Sequence, residues 1–433
     1  MKFKILFCGL VFFPLVLVCP AHGERFCDWF NAEYTGQFKS KVLASWYDYK
    51  APLRLVEDNS FWDGSSNLRL NMEAFAGDSF SFKVHYETGI TGGQTREKEK
   101  DLLKKVPGLP PYAFSVSNPD DDTQFFDLTR IYARGNSYIA WHRLDRLSVT
   151  YQPSWGMVRL GRQAVTWGNG LLFNPMDIFN PFSPTTIDKD YKTGCDMAFC
   201  RFDSETFGEW QFLYVPRQDA LKGRVKSKES SFAGKVHYYF NGLEFDLMAA
   251  DHYKDEVAGL GVSGCLGGAA WRASGTWTFM DPDSRQNDFF SLVANIDYSW
   301  IWWKKNFYGF IEYYHSGIGT HRYAEILSRT ELLKRFARGE IFVLDKNYLA
   351  GHINMETHPL VNLNLTVINN LHDPSGTVQP VITWDARQNL EFTLGANLYY
   401  GETGTEFGGI RVPSSIYCLK PADSVYLWAT LYF

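Results

Sequence analysis

Val425-Tyr-Leu-Trp-Ala-Thr-Leu-Tyr-Phe433 alternates strictly: Val425, Leu427, Ala429, Leu431 and Phe433 share one face of an extended chain. The same period of two runs through Leu68-Arg-Leu-Asn-Met-Glu-Ala74, Phe80-Ser-Phe-Lys-Val-His-Tyr86, Val361-Asn-Leu-Asn-Leu-Thr-Val367 and Leu390-Glu-Phe-Thr-Leu394. A soluble sandwich also alternates, but its strands are usually ~5–6 residues long. Here they run to about ten, the length of a tilted membrane crossing. Aromatic residues sit at their ends, as in Trp46-Tyr47, Tyr151 with Trp155, Trp300 to Trp303, Tyr313-Tyr314 and Tyr399-Tyr400. Backbone groups cannot stay unpaired in hydrocarbon, so strands of this kind must close on themselves. The fold class expected is all-β: a transmembrane antiparallel β-barrel of about 18 strands, with 16 as the neighbouring even number.

The final segment resembles the terminal signature of Gram-negative outer-membrane barrels, in which alternate apolar residues end in Phe. Phe433 would be read by the barrel assembly machinery, and outer-membrane lipid would be the other partner. The chain begins accordingly. Met1-Lys-Phe-Lys4 is basic, Ile5 to Val18 is apolar, and Ala21-His-Gly23 places small residues before Glu24. This reads as a secretory signal peptide over 1–23, leaving one barrel domain over 24–433.

Composition agrees. The 433 residues are 45% hydrophobic, 17% aromatic and 21% charged, with a formal net charge of -5. That is too aromatic and too weakly charged for a disordered chain. It is also too acidic, with no basic stripe, for nucleic-acid binding. Removing Cys8 and Cys19 with the leader leaves Cys27, Cys195, Cys200, Cys265 and Cys418, an odd set that argues against a full disulfide framework. No metal or cofactor motif appears, so none is expected.

Short connections at Gly77-Asp78, Pro153-Ser154, Asn241-Gly242 and His358-Pro359 alternate with long ones at 89–139, 167–193, 318–345 and 401–423. Segment 323–336 has helical spacing, and 124–138 could be an extra strand or a loop hairpin. If apolar faces meet lipid, opposite parity lines the lumen. On the earlier strands that face shows Lys39, Lys41, Arg69, Glu73, Lys83, His85, Arg146, Arg159 and Gln163. On the later ones it shows Lys235, His237, Glu244, Asp246, Arg272, Asp297, Glu312, His352, Asn354, Glu356, Asn362, Asn364 and Glu391. The first set is mostly basic and the second mostly acidic, which predicts a transverse field in a water-filled bore. A barrel this wide can hold an aqueous channel. The function expected is passive passage of small polar or hydrophobic solutes. The alternative is a plugged barrel that binds at the surface or forms part of an export complex.

One motif stands out: Gly161-Arg-Gln-Ala-Val-Thr-Trp-Gly168, then Asn174-Pro-Met-Asp177 and Asn180-Pro181, with Arg143-Leu-Asp-Arg146 one hairpin before. It resembles a group of porin-like outer-membrane proteins carrying GRQ-x-x-x-WG and NP-x-D, long catalogued without a function and distantly similar to alginate-export porins. The resemblance implies an outer-membrane barrel with a channel role and carries no substrate. On physical grounds Gly161 and Gly168 permit close packing or unusual φ. Arg162 could hold a loop carboxylate such as Asp177. Trp167 would be a girdle residue where a strand leaves the membrane. Asn174-Pro175 and Asn180-Pro181 pre-set turns. The loop they stiffen either folds into the lumen or caps it from outside. Catalysis is not expected. His85, His237 and His352 all have lumen parity, where a lipid-facing Ser/His pair could not use them, and Asp120-Asp-Asp122 with His321 reads as a solvated loop feature.

Overall fold

The computed structural model describes residues 24–433 except 28, 57–59, 106–117, 187, 189, 220–222, 285 and 412–415; the signal-peptide reading falls on 1–23, outside the described residues. Eighteen antiparallel strands form a closed barrel. In chain order they are β1 (Phe30–Trp46), β2 (Ser60–Ala76), β3 (Phe80–Gly93), β4 (Tyr138–Tyr151), β5 (Gly156–Gln163) and β6 (Cys195–Ser204). Next come β7 (Gly208–Val215), β8 (Ser231–Phe240), β9 (Leu243–His252), β10 (Asp255–Leu266), β11 (Ala269–Phe279) and β12 (Phe289–Trp302). The last six are β13 (Lys305–Ser316), β14 (Asn347–His358), β15 (Val361–Asn370), β16 (Gly376–Arg387), β17 (Leu390–Tyr400) and β18 (Asp423–Tyr432).

The seam is made by the alternating C-terminal segment. Pairing of β1 with β18 runs from Gln37↔Tyr432 to Trp46↔Asp423. Beyond it, Gly36 and Phe433 exchange backbone hydrogen bonds of 2.7 and 3.0 Å. Gly36 is what lets the Phe433 ring lie there, since a Cβ at that position would stand 2.4 Å from it. The eighteen strands thus close on themselves, as hydrocarbon requires of a spanning sheet.

Parity decides what meets the membrane. Val42, Leu70, Leu247, Leu260, Ile296, Ile311, Leu394 and Leu427 are all exposed on the outside, while Tyr426, Trp428 and Thr430 are buried inside. An apolar belt this large would drive aggregation in water; around a barrel it is the lipid-facing surface. Aromatic pairs mark the short-turn rim, including Trp155 stacked on Phe202 at 5.0 Å and Trp302 on Trp303 at 4.0 Å.

The two ends differ. One carries tight turns, among them Asn241-Gly242 with both φ values positive, the mirror-image turn that suits a twisted hairpin. The other carries the long loops. It also has a two-residue connection at Tyr253-Lys254, again with both φ positive, so short and long connections do not alternate without exception. Segment 124–138 resolves as a hairpin. Thr129–Arg134 pairs with the upper part of β4 and continues the wall above the short β5. The helical spacing over 323–336 gives a 3-10 turn, Tyr323–Ser328, and then a helix, Thr330–Ala337, broken at Arg329. A helix at Gln94–Lys105 stands within the long connection 89–139, where period-two patterning gives no signal for it. Its start rests on Asp63, whose carboxylate accepts from the Thr95 N–H at 3.0 Å and the Thr95 hydroxyl at 2.5 Å. Its Leu102 packs with Leu53 and Phe61. Cys195, Cys200, Cys265 and Cys418 are free thiols.

Candidate functional site: the lumen and the loop that crosses it

A bulge in β4 builds a group of paired charges inside the wall. Pairing with β3 passes from His85↔Arg146 to Tyr86↔Leu144, so Asp145 has no partner of its own. The extra residue flips the parity above it. Trp141, Arg143 and Asp145 then face inward together with Arg146, Ser148 and Thr150. Arg69 bridges Glu87 at 3.0 Å and Asp145 at 2.9 Å; Arg143 reaches Glu87 at 2.7 Å and Arg146 reaches Asp145 at 2.7 Å. Arg69 and Arg146 are the members of this group that strict alternation reaches. It misses Arg143 and Asp145, because a bulge leaves no trace in the pattern of apolar residues.

The chain leaves β5 at Gln163, and its described residues up to β6 run inside the barrel. The loop of residues 164–194 is fastened to strands all round the bore. The Trp167 indole N–H donates to Gln211 on β7 at 2.6 Å. The N–H groups of Leu171, Leu172 and Phe173 converge on the Glu312 carboxylate of β13 at 2.7, 3.0 and 2.8 Å. Glu312 is fully buried and also accepts from Asn295 of β12 at 3.1 Å. Phe173 stacks on Tyr314 with centroids 4.4 Å apart. Further along, Thr185 accepts from Gln379 of β16 at 3.0 Å, and Lys39 of β1 donates to Asp188 and Asp190 at 2.8 and 2.7 Å. The Tyr191 ring lies 4.0 Å from the Arg69 guanidinium.

The loop also ties its own ends together. Lys192 donates to both oxygens of Asp177 at 2.6 and 2.8 Å and to the Val165 carbonyl at 2.6 Å. Burial outweighs this pairing: the Asp177 carboxyl is pushed up to about 6, and desolvation holds Lys192 below its ordinary value. Gly168 adopts φ +86 and Asn180 φ +54. The Asn174 side chain donates to the Trp167 carbonyl at 2.9 Å, and the Asp177 N–H closes a turn onto the Asn174 carbonyl at 3.1 Å. Pro175, Pro181 and Pro184 border the space beneath Phe173 and Tyr314.

Four sequence expectations are corrected here. Arg162 does not hold Asp177. It lies opposite Leu147 on the outer face of the sheet, where its guanidinium binds Asp196 at 2.8 Å, Asp121 at 2.9 Å and the Phe126 carbonyl at 2.7 Å. It thereby clamps segment 118–128 against the barrel, and Asp121 is a buried partner rather than a solvated loop residue. Trp167 is not a girdle residue, since it is buried inside the lumen against Phe179. Gln163 faces inward but is covered, donating to the Met197 carbonyl at 3.2 Å.

The remaining wall charges pair mostly with neighbours rather than across the bore. Lys83 meets Glu73 at 3.1 Å, Lys235 meets Asp246 at 3.1 Å, and Arg272 meets Asp297 at 3.0 Å. The contrast of a basic and an acidic wall is therefore reduced to fewer groups. Lys41 rests on the Tyr426 and Trp428 rings at 5.2 and 5.3 Å, and Arg159 donates to Thr150 at 2.9 Å. Opposite in sign, Glu244 accepts from Ser263 and Glu356 from Asn306, each at 2.9 Å, and Glu391 accepts from Thr393 at 3.2 Å.

This architecture has counterparts among solved structures. OccAB2 of Acinetobacter baumannii matches with a TM-score of 0.55 and 9% identity, over 93% of this chain and 98% of that one. A BenF-like porin from Pseudomonas fluorescens gives a TM-score of 0.50 and 9% identity, over 93% and 98%. Wzi of Escherichia coli, an outer-membrane protein of group 1 capsule assembly described as a carbohydrate-binding β-barrel, gives 0.50 and 10%, over 92% and 84%. No family model and no curated protein matches the chain, so the GRQ-x-x-x-WG resemblance gains no support there. The closed barrel, the apolar belt and these matches lead to one statement: the chain has the fold of Gram-negative outer-membrane porin barrels.

Proposed function

We propose that the protein is an outer-membrane channel in which the loop of residues 164–194 sets the passage for small solutes. The observation that carries this reading is the capture of Leu171, Leu172 and Phe173 by the buried Glu312. A loop anchored by three N–H groups to the far wall is drawn across the bore instead of standing above it. Such an arrangement narrows a passage while leaving polar wall groups below it in contact with water, as the half-exposed Glu73 and Lys83 are. Solutes that fit are small and polar, guided by Lys41 and Arg159 on one side and by Glu244, Glu356 and Glu391 on the other. Hydrophobic solutes would pass only where the buried stack of Phe173, Tyr314 and Tyr348 parts. Delivery to the membrane by the barrel assembly machinery, through Phe433, belongs to the same reading.

A second reading rests on that stack. Phe173, Tyr314, Tyr348 and Phe407 join the loop to segment 401–411 in one buried cluster, which would seal the bore. The barrel would then act as a binding surface, in the manner stated for Wzi. Single-channel conductance in planar bilayers separates the two, comparing the wild type with Glu312→Gln and with a deletion of residues 170–190. A steady current that grows in both variants supports a loop-constricted channel. Silence in the intact protein with opening on deletion makes the loop a gate. Silence in all three, with folding and insertion verified, overturns the channel reading in favour of the surface-binding one.

A further inference from the structure

We propose that the long-loop end carries a binding site for a divalent transition-metal ion of the zinc class, with His321, Asp345 and His372 as ligands. One donor atom from each of the three lies within 4.8 Å of the others. The two imidazole rings face each other at 5.5 Å with 24° between their planes, and both reach solvent. Asp345 is fully buried and rigidly held. One oxygen accepts from the Tyr323 hydroxyl at 2.8 Å and Asn370 at 3.2 Å; the other accepts from the Lys346 N–H at 2.6 Å and lies 3.1 Å from His372 Nδ1. A fixed carboxylate with two adjustable imidazoles is a donor set that suits zinc, nickel or copper, and the exposed side leaves coordination positions open. Ligand atoms on a tetrahedral ion stand about 3.3 Å apart. A small rotation of the two exposed rings closes the present spacing.

The charge around the triad independently calls for a cation. Asp373 and Glu406 lie beside Asp345, and among the described residues no Lys or Arg comes within ion-pair distance of any of the three. The single Tyr323 hydroxyl faces carboxylate oxygens of both Asp345 and Asp373, at 2.8 and 2.7 Å. A phenol has one proton to give. One of these two contacts therefore sets oxygen lone pairs against each other unless one carboxyl carries a proton or a positive charge sits close by. An ion on Asp345 supplies that charge, and Tyr323 and Asn370 then act as the outer hydrogen-bonding partners that orient a metal-bound carboxylate. The three ligands come from scattered loop positions, so no spacing motif announces the site. Its physical effect would be to cross-link segment 317–346 to the 371–375 turn at the outer mouth.

The test is titration of the tag-free, full-length barrel, folded in detergent, with Zn²⁺ by calorimetry and with Co²⁺ by visible absorption. One equivalent of zinc is expected, with the Co²⁺ spectrum of a four- or five-coordinate site. His321→Ala and His372→Ala should each weaken binding by about a hundredfold, and Tyr323→Phe by about tenfold. Both histidines are exposed, so the variants should keep the mobility difference between unheated and boiled samples that marks a folded barrel. Failure of the folded wild type to bind zinc, or equal binding in a folded His321→Ala/His372→Ala double variant, overturns the proposal.

Discussion

At the scale of single residues, the loop's internal stitch sets a pH dependence. Asp177 is pushed up to about 6 by burial, against an ordinary aspartate near 4. Between these values the folded state holds a proton that the unfolded state has lost, so stability falls as pH rises through the window. The stabilisation is complete below about pH 4 and gone above about pH 6, a change on the order of 3 kcal/mol. Asp177→Asn removes the titration. Its guanidinium midpoint in detergent should therefore gain on that of the wild type between pH 4 and pH 7. Parallel midpoints over that range would show that Asp177 is not desolvated as the geometry implies. The residue scale is also where sequence reading reached its limit. Glu312 carried the right parity, but nothing near it in the chain reveals that its partners are Leu171, Leu172 and Phe173. Alternation gives a face and not a partner: Arg162, three residues on from the lumen-facing Arg159, lies on the outer face and meets Asp121 and Asp196 instead of Asp177.

At the scale of elements, period-two patterning was enough to find most strands, since each must show lipid one face and the bore the other. It fails where burial is tertiary. The helix Gln94–Lys105 is mostly charged, and its place depends on Leu53, Phe61 and Asp63, all distant in sequence. The β4–β5 hairpin shows the same limit in glycine. Gly161 has φ +117, and a Cβ there would lie 2.1 Å from the Leu147 carbonyl oxygen, a backbone atom that cannot rotate away. Gly77 also has positive φ, +59, but nothing stands within 4 Å of its missing Cβ. Gly161→Ala should thus break the hairpin register, cost roughly 3 kcal/mol or more and lower the yield of folded barrel. Gly77→Ala should cost only about 1 kcal/mol. Unfolding midpoints and the fraction of heat-modifiable protein report both. Equal losses would mean that φ alone, and not the close approach to β4, governs the site.

At the scale of the whole molecule, closure and charge are separable. The eighteen strands close through hydrogen bonds and an apolar belt, and neither depends on what lines the bore. The lining decides what passes, and local pairing leaves only a few charges to act on a solute. Arg159 is one of these: it donates to Thr150 and to the Met157 sulfur, and among the described residues it has no carboxylate in ion-pair contact. Reversing it as Arg159→Glu replaces a positive group on the inner wall with a negative one near the short-turn end, where Glu244, Glu356 and Glu391 also lie. The reversal potential under a salt gradient should shift toward cation selectivity, with little change in the unfolding midpoint. The shift should be largest in dilute salt, where the screening length is about 30 Å at 0.01 M, and nearly vanish at 1 M, where it is about 3 Å. A selectivity change that persists undiminished at high salt would point to altered pore shape. No change at any salt would remove Arg159 from the conducting path and leave the field to Lys41, above it on β1, as the next position to reverse.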